Sequence, residues 1–573
     1  MKKSPHIVLI FILFISTFFI SGCDILGSDS SSSSSVPLLP TSGDNDPNAK
    51  TVIGAGVYIT ATDSAKLLAK AGTILEFSDV AQGISVELPV ERNREVVYSL
   101  IVNNEHTSAQ SIQLLHETAA SIKASIYEQH YTPLPSQDMT NTRWGNLEAK
   151  ALTESNLRRQ NKFQSLRNGA KGSLRGSVNH SNENLNDEVI IKIITDGNAT
   201  SYNNVTTKLL KITEHAKFFV DITCSGTYNI TSDDLNHFAD EFESFIYPLF
   251  NDNYRLAEDV DSDGKLSIVF SKEYNRLGFA GLFNTADFSN PGNGNNRDMI
   301  GIWAPGYSAK FQGEYWRAAT RETIAHELQH AANFSAKGLN MQNQEYEWLD
   351  ESLSVGVEAR YRQRRAAMSK TTSSGYIADV SGAGAIEPDS VANDNRFGSW
   401  LESSNTGMES WESTYAHYGQ KGLFNFYMYE QFRSDFIKAM HNSSTPIGSA
   451  LNIETLLLSQ GDGRNYEQVK KDWQTAVLNE VLVFRGIIQK SQITDSKHKF
   501  NETMFPAILN TESSYKLTKD IDLGNGSITT YVNPGAAVFY KITQPAGYSG
   551  NNTFRIASEG KGVSLRMVRL TPN

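Results

Sequence analysis

Hydrophobic and polar positions divide this chain of 573 residues into β-rich ends and a mixed centre. The segments from Thr51 to Glu117 and from about Thr494 onward are rich in β-branched and aromatic residues and are interrupted by turn residues, as strands are. The segment between them combines strand patterns with amphipathic helices. The pattern therefore predicts an α+β protein whose mixed central domain is flanked by two β-sandwich-like domains.

Changes in composition give the boundaries of these units, since a single core does not account for a chain of this length. The serine run from Ser30 to Ser35 and the prolines near it cannot bury apolar area, which predicts a flexible tether. Polar residues after Glu117 indicate a helical or loose connector. The predicted segments are a signal peptide at 1–22, the tether at 23–50, a β-sandwich-like domain at 51–117, the connector at 118–185, the mixed domain at 186–492 and a second β-sandwich-like domain at 493–573.

Two helices of the central domain stand out. The stretch from Ala318 to Lys337 contains neither Pro nor Gly, and Gly338 is placed to end a helix there. A second helix is predicted from Glu347 to about Met368, in a segment rich in Ala, Arg and Glu. Further helices are predicted at 235–247, with Ser232 as the N-cap, at 423–436 and over much of 451–490.

The first of these helices contains His326-Glu327-Leu328-Gln329-His330, the H-E-x-x-H pattern of zinc-binding metallopeptidases. Residues four apart share a helix face, so the two imidazoles can bind one metal ion. Glu327 lies close enough to such an ion to take a proton from a bound water. The alternative is an ordinary surface helix with two histidines, but the motif rarely arises by chance.

A catalytic zinc ion needs a third protein ligand, with the fourth position left for water. Glu351 follows His330 by 21 positions and lies on the first turn of the second helix, where a carboxylate can complete the site. Glu358 shares a face with Glu351 and is the competing candidate.

Charge and cysteine content exclude several classes of function. The chain carries 63 acidic and 52 basic residues, a formal net charge of −11, which argues against a nucleic-acid partner and suits an exported protein. Its two cysteines, Cys23 and Cys224, lie far apart and can build neither a disulfide framework nor a cysteine-based zinc site.

The N-terminus predicts export. Lys2 and Lys3 precede a largely apolar run from Ile7 to Ile20, which is too short for a comfortable membrane span and is typical of a signal peptide. The run ends in Ile20-Ser21-Gly22-Cys23, which resembles the lipobox of bacterial lipoproteins. The resemblance implies that Cys23 carries a lipid and holds the protein on a membrane of the cell envelope, outside the cytoplasm. An ordinary secretory signal is the alternative.

A second chemical signal is the stretch Asp259-Val260-Asp261-Ser262-Asp263-Gly264-Lys265. Carboxylates at alternate positions followed by Gly reproduce the first half of an EF-hand calcium loop. The twelfth position of such a loop is Phe270 instead of Glu, so a calcium site needs completion by a residue elsewhere. Structural calcium and a simple acidic turn leading into a strand are equally supported.

Trp348-Leu349-Asp350-Glu351 follows the H-E-x-x-H motif at a spacing that resembles gluzincin metallopeptidases, and among them the hyicolysin family. The similar stretch runs from about Lys217 to Tyr427 and includes the aspartate-rich turn. The resemblance implies a thermolysin-like catalytic domain, one zinc ion and peptide hydrolysis, with Glu351 as the preferred third ligand. Ser352 departs from the pattern, since relatives usually have Gly at that position.

The resemblance also implies roles for neighbouring residues. Glu358 is expected to orient a histidine, as is Glu322 one turn before the motif, whereas Asp350 is expected to point elsewhere and to start its helix. The strand from Asp298 to Trp303 is expected to be an edge along which a peptide lies. Lys370 to Ser399 forms a long polar segment that suits a lid or specificity loop.

A gluzincin also needs a hydrogen-bond donor for the oxyanion of its reaction intermediate. Thr414 to Gly419 is the matching place, with Tyr418 preferred over His417 and Tyr415. Aromatic packing against the next helix is the alternative role.

Taken together, the sequence predicts a lipid-anchored zinc metalloendopeptidase that cleaves extracellular proteins or peptides. The alternative is an adhesin or binding lipoprotein with an idle peptidase fold, against which the intact Glu327 argues.

Overall fold

Helices and several separate β-sheets make up the fold in the computed structural model, so the predicted mixed α and β character is confirmed. Cys23, the tether and nearly all of the connector lie outside the described residues, as does most of the 370–399 loop. The structure describes residues 51–53, 58–59, 74–81, 83–88, 93–117, 180–195, 201–289, 294–306, 312–339, 345–369, 396–412, 414–442, 449–484, 486, 488–500, 518–521, 527–547, 553–558 and 560–570.

Strands and helices are numbered in chain order within these ranges. None of the helices there is long and apolar enough to cross a membrane. The strands are β1 (Thr51–Ile53), β2 (Tyr58–Ile59), β3 (Ile74–Phe77), β4 (Ile84–Glu87), β5 (Val96–Asn104), β6 (Gln110–Glu117), β7 (Glu188–Ile194), β8 (Tyr202–Ile212), β9 (Ala216–Asp221), β10 (Leu266–Ser271), β11 (Gly281–Leu282), β12 (Met299–Trp303), β13 (Thr518–Ile521), β14 (Ser527–Val532), β15 (Ala537–Gln544), β16 (Thr553–Ser558) and β17 (Val563–Arg569). The helices are α1 (Ser232–Glu241), α2 (Tyr247–Asn253), α3 (Lys272–Leu277), α4 (Thr285–Ser289), α5 (Gly313–Asn333), α6 (Glu347–Ser369), α7 (Tyr415–Asn442), α8 (Ser449–Gln460) and α9 (Tyr466–Phe484).

The central domain contains a mixed sheet with the strand order β11-β12-β10-β9-β8-β7. Strands β7, β8 and β9 are antiparallel neighbours, whereas β9, β10 and β12 are parallel. The short β11 pairs antiparallel with the far side of β12. The prediction that Asp298–Trp303 forms an edge is therefore wrong. Gly281 and Leu282, which form β11, pair with the outer side of β12, so β11 is the edge strand of the sheet.

Helices α1 and α5 pack on this sheet through aromatic side chains. The Phe238 ring of α1 lies 5.4 Å from the Phe270 ring of β10 and 5.2 Å from the Trp316 ring of α5, and all three residues are buried. Helix α1 begins one residue earlier than expected: Thr231 is the N-cap, in a capping box with Asp234, and Ser232 is already helical.

Helix α5 carries the H-E-x-x-H motif, and the prediction of its end is confirmed. Its last turns widen into a π-helical segment, Phe334–Gly338, which ends at the predicted Gly338. Helix α6 is also confirmed and packs closely against α7. A Cβ atom at Gly356 of α6 would overlap the Asn425 amide of α7, so only glycine allows this approach. The close packing brings the start of α6 and the start of α7 to the same side of α5.

The two predicted β-sandwich-like domains are not separate, and that part of the domain prediction is wrong. Strands from both ends of the chain alternate in the same two sheets, with orders β1-β3-β17-β5-β15-β13 and β14-β6-β16-β4-β2. Strand β5 lies between β15 and β17, and β6 lies between β14 and β16. The two segments bury their side chains in one shared core.

Buried ion pairs connect this sandwich to the central domain. Arg566 of β17 is fully buried and donates from Nε to Glu76 of β3 (2.7 Å) and from Nη1 to Asp472 of α9 (3.0 Å). Lys471 of α9 also pairs with Glu105 of the sandwich. Burial alone would raise the pKa of Asp472, but Arg566, His498 and Arg464 together outweigh burial and hold that pKa well below its usual value. The sandwich and α9 therefore depend on each other electrostatically.

We predict that Arg566→Met lowers the free energy of unfolding by about 3 kcal/mol, because Glu76 and Asp472 lose their shared buried cation. Urea unfolding followed by circular dichroism measures the loss. Arg555→Met is the matched control, since Arg555 on β16 is half-buried and makes no ion pair with residues in the described ranges. Equal losses in the two variants would contradict this account of the interface.

Candidate metal centre and active site

Helices α5 and α6 bring three predicted ligands together. His326, His330 and Glu351 each offer one ligand atom, and these three atoms all lie within 4.8 Å of one another. His326 and Glu351 are buried, and His330 is partly buried. The four-residue spacing places both imidazoles on one face of α5, and the first turn of α6 crosses that face.

A carboxylate of α6 orients each histidine ring. The Nδ1 atom of His326 lies 2.6 Å from Glu358, and the Nδ1 atom of His330 lies 2.8 Å from Asp350. Both Nε2 atoms consequently point towards Glu351, at 3.3 Å and 3.8 Å from its Oε2. The predicted orienting role of Glu358 is confirmed, and its bond to Nδ1 leaves Glu351 as the carboxylate on the Nε2 side.

Asp350 does not point elsewhere, and that prediction is wrong. Its carboxylate accepts hydrogen bonds from Gln329 (3.3 Å) and Asn333 (3.0 Å) of α5, in addition to its contact with His330. The α6 helix meets α5 at its first turn, so adjacent residues of that turn contact α5 at different points. A helix-start carboxylate thus also fixes the orientation of a candidate metal ligand.

The donor set fits a metal ion. Two imidazole nitrogens and one carboxylate oxygen are ligands that zinc accepts, and the buried Oε2 of Glu351 has no hydrogen-bond partner among the described residues. Burial lowers the pKa of His326, but Glu351 and Glu358 outweigh it and raise that pKa to about 10. Burial raises the pKa of Glu351, but His330 and His326 bring it below its usual value. The histidines and the carboxylates therefore stabilise each other's charged forms.

Glu327 lies beside this group and against the edge strand β11. It is 7% exposed, and burial raises its pKa, which makes it a stronger base than an exposed carboxylate. The backbone N–H of Phe283 donates a hydrogen bond to its carboxylate. A Cβ atom at Gly281 would lie 2.6 Å from both Cγ and Oε1 of Glu327, so this glycine makes room for the side chain. Sequence reasoning missed Gly281, because a lone glycine in a loop carries no signal.

Of the predicted residues Tyr415, His417 and Tyr418, only Tyr418 has a described contact with the candidate metal ligands. Its ring lies 6.4 Å from the His326 ring, centroid to centroid. Burial, followed by the charge of Glu351, raises its pKa well above the usual value, so the hydroxyl keeps its proton at neutral pH. That hydroxyl makes no hydrogen bond to the described residues and can donate to a ligand.

The other two candidates are turned away or exposed. His417 contacts the hydroxyls of Thr414 (2.8 Å) and Ser410 (3.2 Å), and burial lowers its pKa to about 3. The Tyr415 side chain is 63% exposed at the start of α7. Neither His417 nor Tyr415 has a described contact with the candidate metal ligands.

Arg396 is a site residue that the sequence analysis missed. It donates to Oε2 of Glu358 (2.7 Å), and its guanidinium lies over the Tyr418 ring, 4.8 Å from the centroid. It therefore connects the carboxylate that orients His326 with the candidate oxyanion donor. A single arginine at the end of a long polar segment gives no sequence pattern, so only the fold places it here.

Ser352, the departure from the family pattern, is accommodated without disturbing Glu351. The side chain is fully buried, and its hydroxyl donates to the carbonyl of Lys421 in α7 (2.8 Å). Since the extra hydroxyl is satisfied by hydrogen bonding, it stabilises the contact between α6 and α7.

The aspartate-rich turn forms a second group of carboxylates. One oxygen from each of Asp259, Asp261 and Asp263 lies within 4.8 Å of the others. Gly264 makes the sharp turn with a positive φ of 74°, and its N–H donates to Asp259 (3.1 Å). Phe270 is buried within β10, so it belongs to the sheet and not to a ligand loop.

No protein-family model matches this chain, and no curated protein matches it in sequence. The function is therefore inferred from the geometry of the two groups and from the motif resemblance.

We predict that Gly281→Ala lowers the free energy of unfolding by about 1–3 kcal/mol, since its Cβ would collide with Thr323 and Glu327. Thermal unfolding measures the loss. Thr323→Ser removes one of the colliding groups but keeps the hydroxyl that donates to Ala319. It should recover part of the stability in the Gly281→Ala background only. Additive effects of the two substitutions would contradict the predicted collision.

Proposed function

We propose that this chain is a zinc-dependent endopeptidase of the gluzincin type with a thermolysin-like catalytic domain. One observation carries the proposal: His326, His330 and Glu351 direct their ligand atoms to one point, with the buried carboxylate of Glu327 beside it. The resemblance to the hyicolysin family supports the same conclusion. An intact base next to a complete ligand set favours an enzyme over an adhesin with an idle peptidase fold.

Zinc is the metal that best suits two imidazole nitrogens and one carboxylate oxygen. A zinc ion bound there would acidify a water molecule and polarise the carbonyl of the scissile bond. Glu358 and Asp350 hold the two imidazoles in the tautomer that presents Nε2 to the ion. The buried surroundings of the ligands strengthen each of these interactions.

Glu327 is the general base and then the general acid. Its raised pKa allows it to take a proton from the attacking water and to return that proton to the leaving amine. The Phe283 N–H and the space left by Gly281 fix the carboxylate beside the edge strand. Proton transfer therefore occurs at a position set by both α5 and β11.

Tyr418 donates a hydrogen bond to the oxyanion that forms when water adds to the peptide carbonyl. Its high pKa keeps the hydroxyl protonated for this purpose. Arg396 acts as a positioning residue, because it stacks on the Tyr418 ring and pairs with Glu358. The donor and the orientation of His326 are thereby coupled.

An extended peptide is the substrate that suits the edge strand. Strand β11 pairs with β12 on one side and has no strand partner on the other within the described ranges. A peptide added to its free side would run past Glu327. The lipobox resemblance at Cys23 supports a lipid anchor in the cell envelope, facing outside the cytoplasm, and extracellular proteins or peptides as the substrates.

Glu327→Gln is expected to lower the rate of casein hydrolysis about a thousandfold, because the amide cannot accept the proton from water. Glu314→Gln is the matched control, since Glu314 is an exposed glutamate on the first turn of the same helix. Metal analysis should find one zinc ion per chain in wild type and in both variants. Equal activity in wild type and Glu327→Gln would refute the mechanism, and a lack of zinc in the wild type would favour the adhesin.

Tyr418→Phe is expected to lower kcat about a hundredfold while KM changes little, because the lost hydrogen bond forms mainly in the transition state. The exposed Tyr415, three residues earlier, provides the control: Tyr415→Phe should leave both constants unchanged. Steady-state kinetics on a fluorogenic peptide measures them. If Tyr418→Phe raises KM alone, Tyr418 binds substrate and another group stabilises the oxyanion.

A further inference from the structure

The aspartate-rich loop lies where three parallel strands of the central sheet begin. Asp259, Asp261 and Asp263 precede β10, and Asp298 immediately precedes β12. The carboxylate of Asp298 accepts a hydrogen bond from the N–H of Val260, inside the loop (3.3 Å). A fourth carboxylate, from a distant part of the chain, therefore contacts the loop that carries the other three.

Two of these four carboxylates are almost fully buried. Asp261 is 2% exposed and Asp298 is 4% exposed, and neither makes an ion pair with the residues that the structure describes. The Oδ2 atom of Asp261 also lacks a hydrogen-bond partner there. An ionised carboxylate in such surroundings is strongly destabilised unless it meets a cation or takes up a proton.

The nearby basic side chains serve other carboxylates. Lys217 of β9 pairs with Asp263 (2.6 Å) and with Glu183 (3.1 Å). Arg297 pairs with the same Glu183 and donates to the hydroxyl of Ser267 (3.1 Å). These contacts hold the acidic group in place, and none of them is an ion pair with Asp261.

We propose that this group binds one calcium ion, with Asp298 as the carboxylate that completes the site in place of the missing glutamate of an EF-hand loop. Calcium prefers oxygen ligands and tolerates irregular geometry, whereas magnesium demands a near-ideal octahedron and keeps its waters. Ligands drawn from a tight loop and from a neighbouring strand suit the larger ion. The ion joins the beginnings of β10 and β12.

Calcium at this point also stabilises the end of the helix that carries the zinc ligands. The N–H of Glu258, one residue before Asp259, donates to the hydroxyl of Ser335 (2.9 Å). Ser335 lies in the π-helical segment after α5, five residues beyond His330, and its hydroxyl donates to Ala331 (2.7 Å). Calcium binding does not depend on the proposed peptidase function. The inference that calcium stabilises the zinc site rests on that proposed function.

The test uses the full-length Glu327→Gln protein, kept in solution with detergent. If the proposed function is correct, this variant cannot digest itself. The protein is stripped of metals, reloaded with one equivalent of zinc and titrated with calcium chloride by calorimetry. We expect one calcium ion per chain and a rise in Tm of about 2–4 °C at a calcium concentration a hundred times the dissociation constant. Magnesium at the same concentration should give a smaller rise.

Asp261→Asn provides a test with a characteristic sign. Without calcium, the Tm of Asp261→Asn should equal or exceed that of the parent, since the substitution removes a buried charge. Adding calcium should not raise the Tm of this variant. Asp298→Asn should behave in the same way and serves if the first variant fails to fold. Asp240→Asn on the exposed face of α1 is the control and should keep the full calcium response.

Several results would overturn the proposal. The first is the absence of calcium binding to the parent. The second is an undiminished rise in Tm with calcium in both Asp261→Asn and Asp298→Asn. The third is an equal rise in Tm with magnesium, which would refute the choice of calcium. Hydrogen exchange gives an independent measure: calcium should slow exchange of the amides at 258–266 and 331–338 in the parent and not in Asp261→Asn. None of these measurements uses peptidase activity, so the two proposals can fail separately.

Discussion

The contact between the N-terminal half of α6 and the motif face of α5 is the interaction on which the rest of the candidate site depends. Through it Glu358 and Asp350 hold the two imidazoles by their Nδ1 atoms, and both Nε2 atoms consequently face Glu351. Glycines at the α6–α7 interface allow the next helix to approach closely, which brings Tyr418 to the same place. A displacement of α6 would therefore disturb the ligands, their orienting carboxylates and the candidate oxyanion donor together.

The edge of the central sheet imposes a second constraint on the same site. Strand β11 is only two residues long, yet Gly281 leaves room for the Glu327 side chain, and the N–H of Phe283, directly after the strand, donates to its carboxylate. The base is thus held between a helix and the strand along which a substrate is proposed to lie. The position of the base and the proposed position of the substrate both depend on β11, so neither can shift without the other.

The shared sandwich extends this dependence to both ends of the chain. Its strands alternate between the first and last segments, and Arg566 connects it to α9 through Asp472 and Glu76. A sandwich that assembles only after the last strands exist cannot act as an independent leading domain. The sandwich is therefore complete only once the last strands are in place, and the buried ion pairs help to fix how it meets the central domain.

Local patterns in the sequence by themselves determined the helix from Ala318 to its end at Gly338, the strand character of both termini and the residues of the H-E-x-x-H motif. The spacing of hydrophobic residues and the residues at helix ends depend on short-range interactions, which can be recognised directly in the sequence. The tertiary structure alone decided that Asp350 turns towards His330, that Arg396 joins Glu358 to Tyr418, and that two terminal segments form one sandwich. Those outcomes depend on which distant elements cross or pair, and no local period in the chain encodes such contacts.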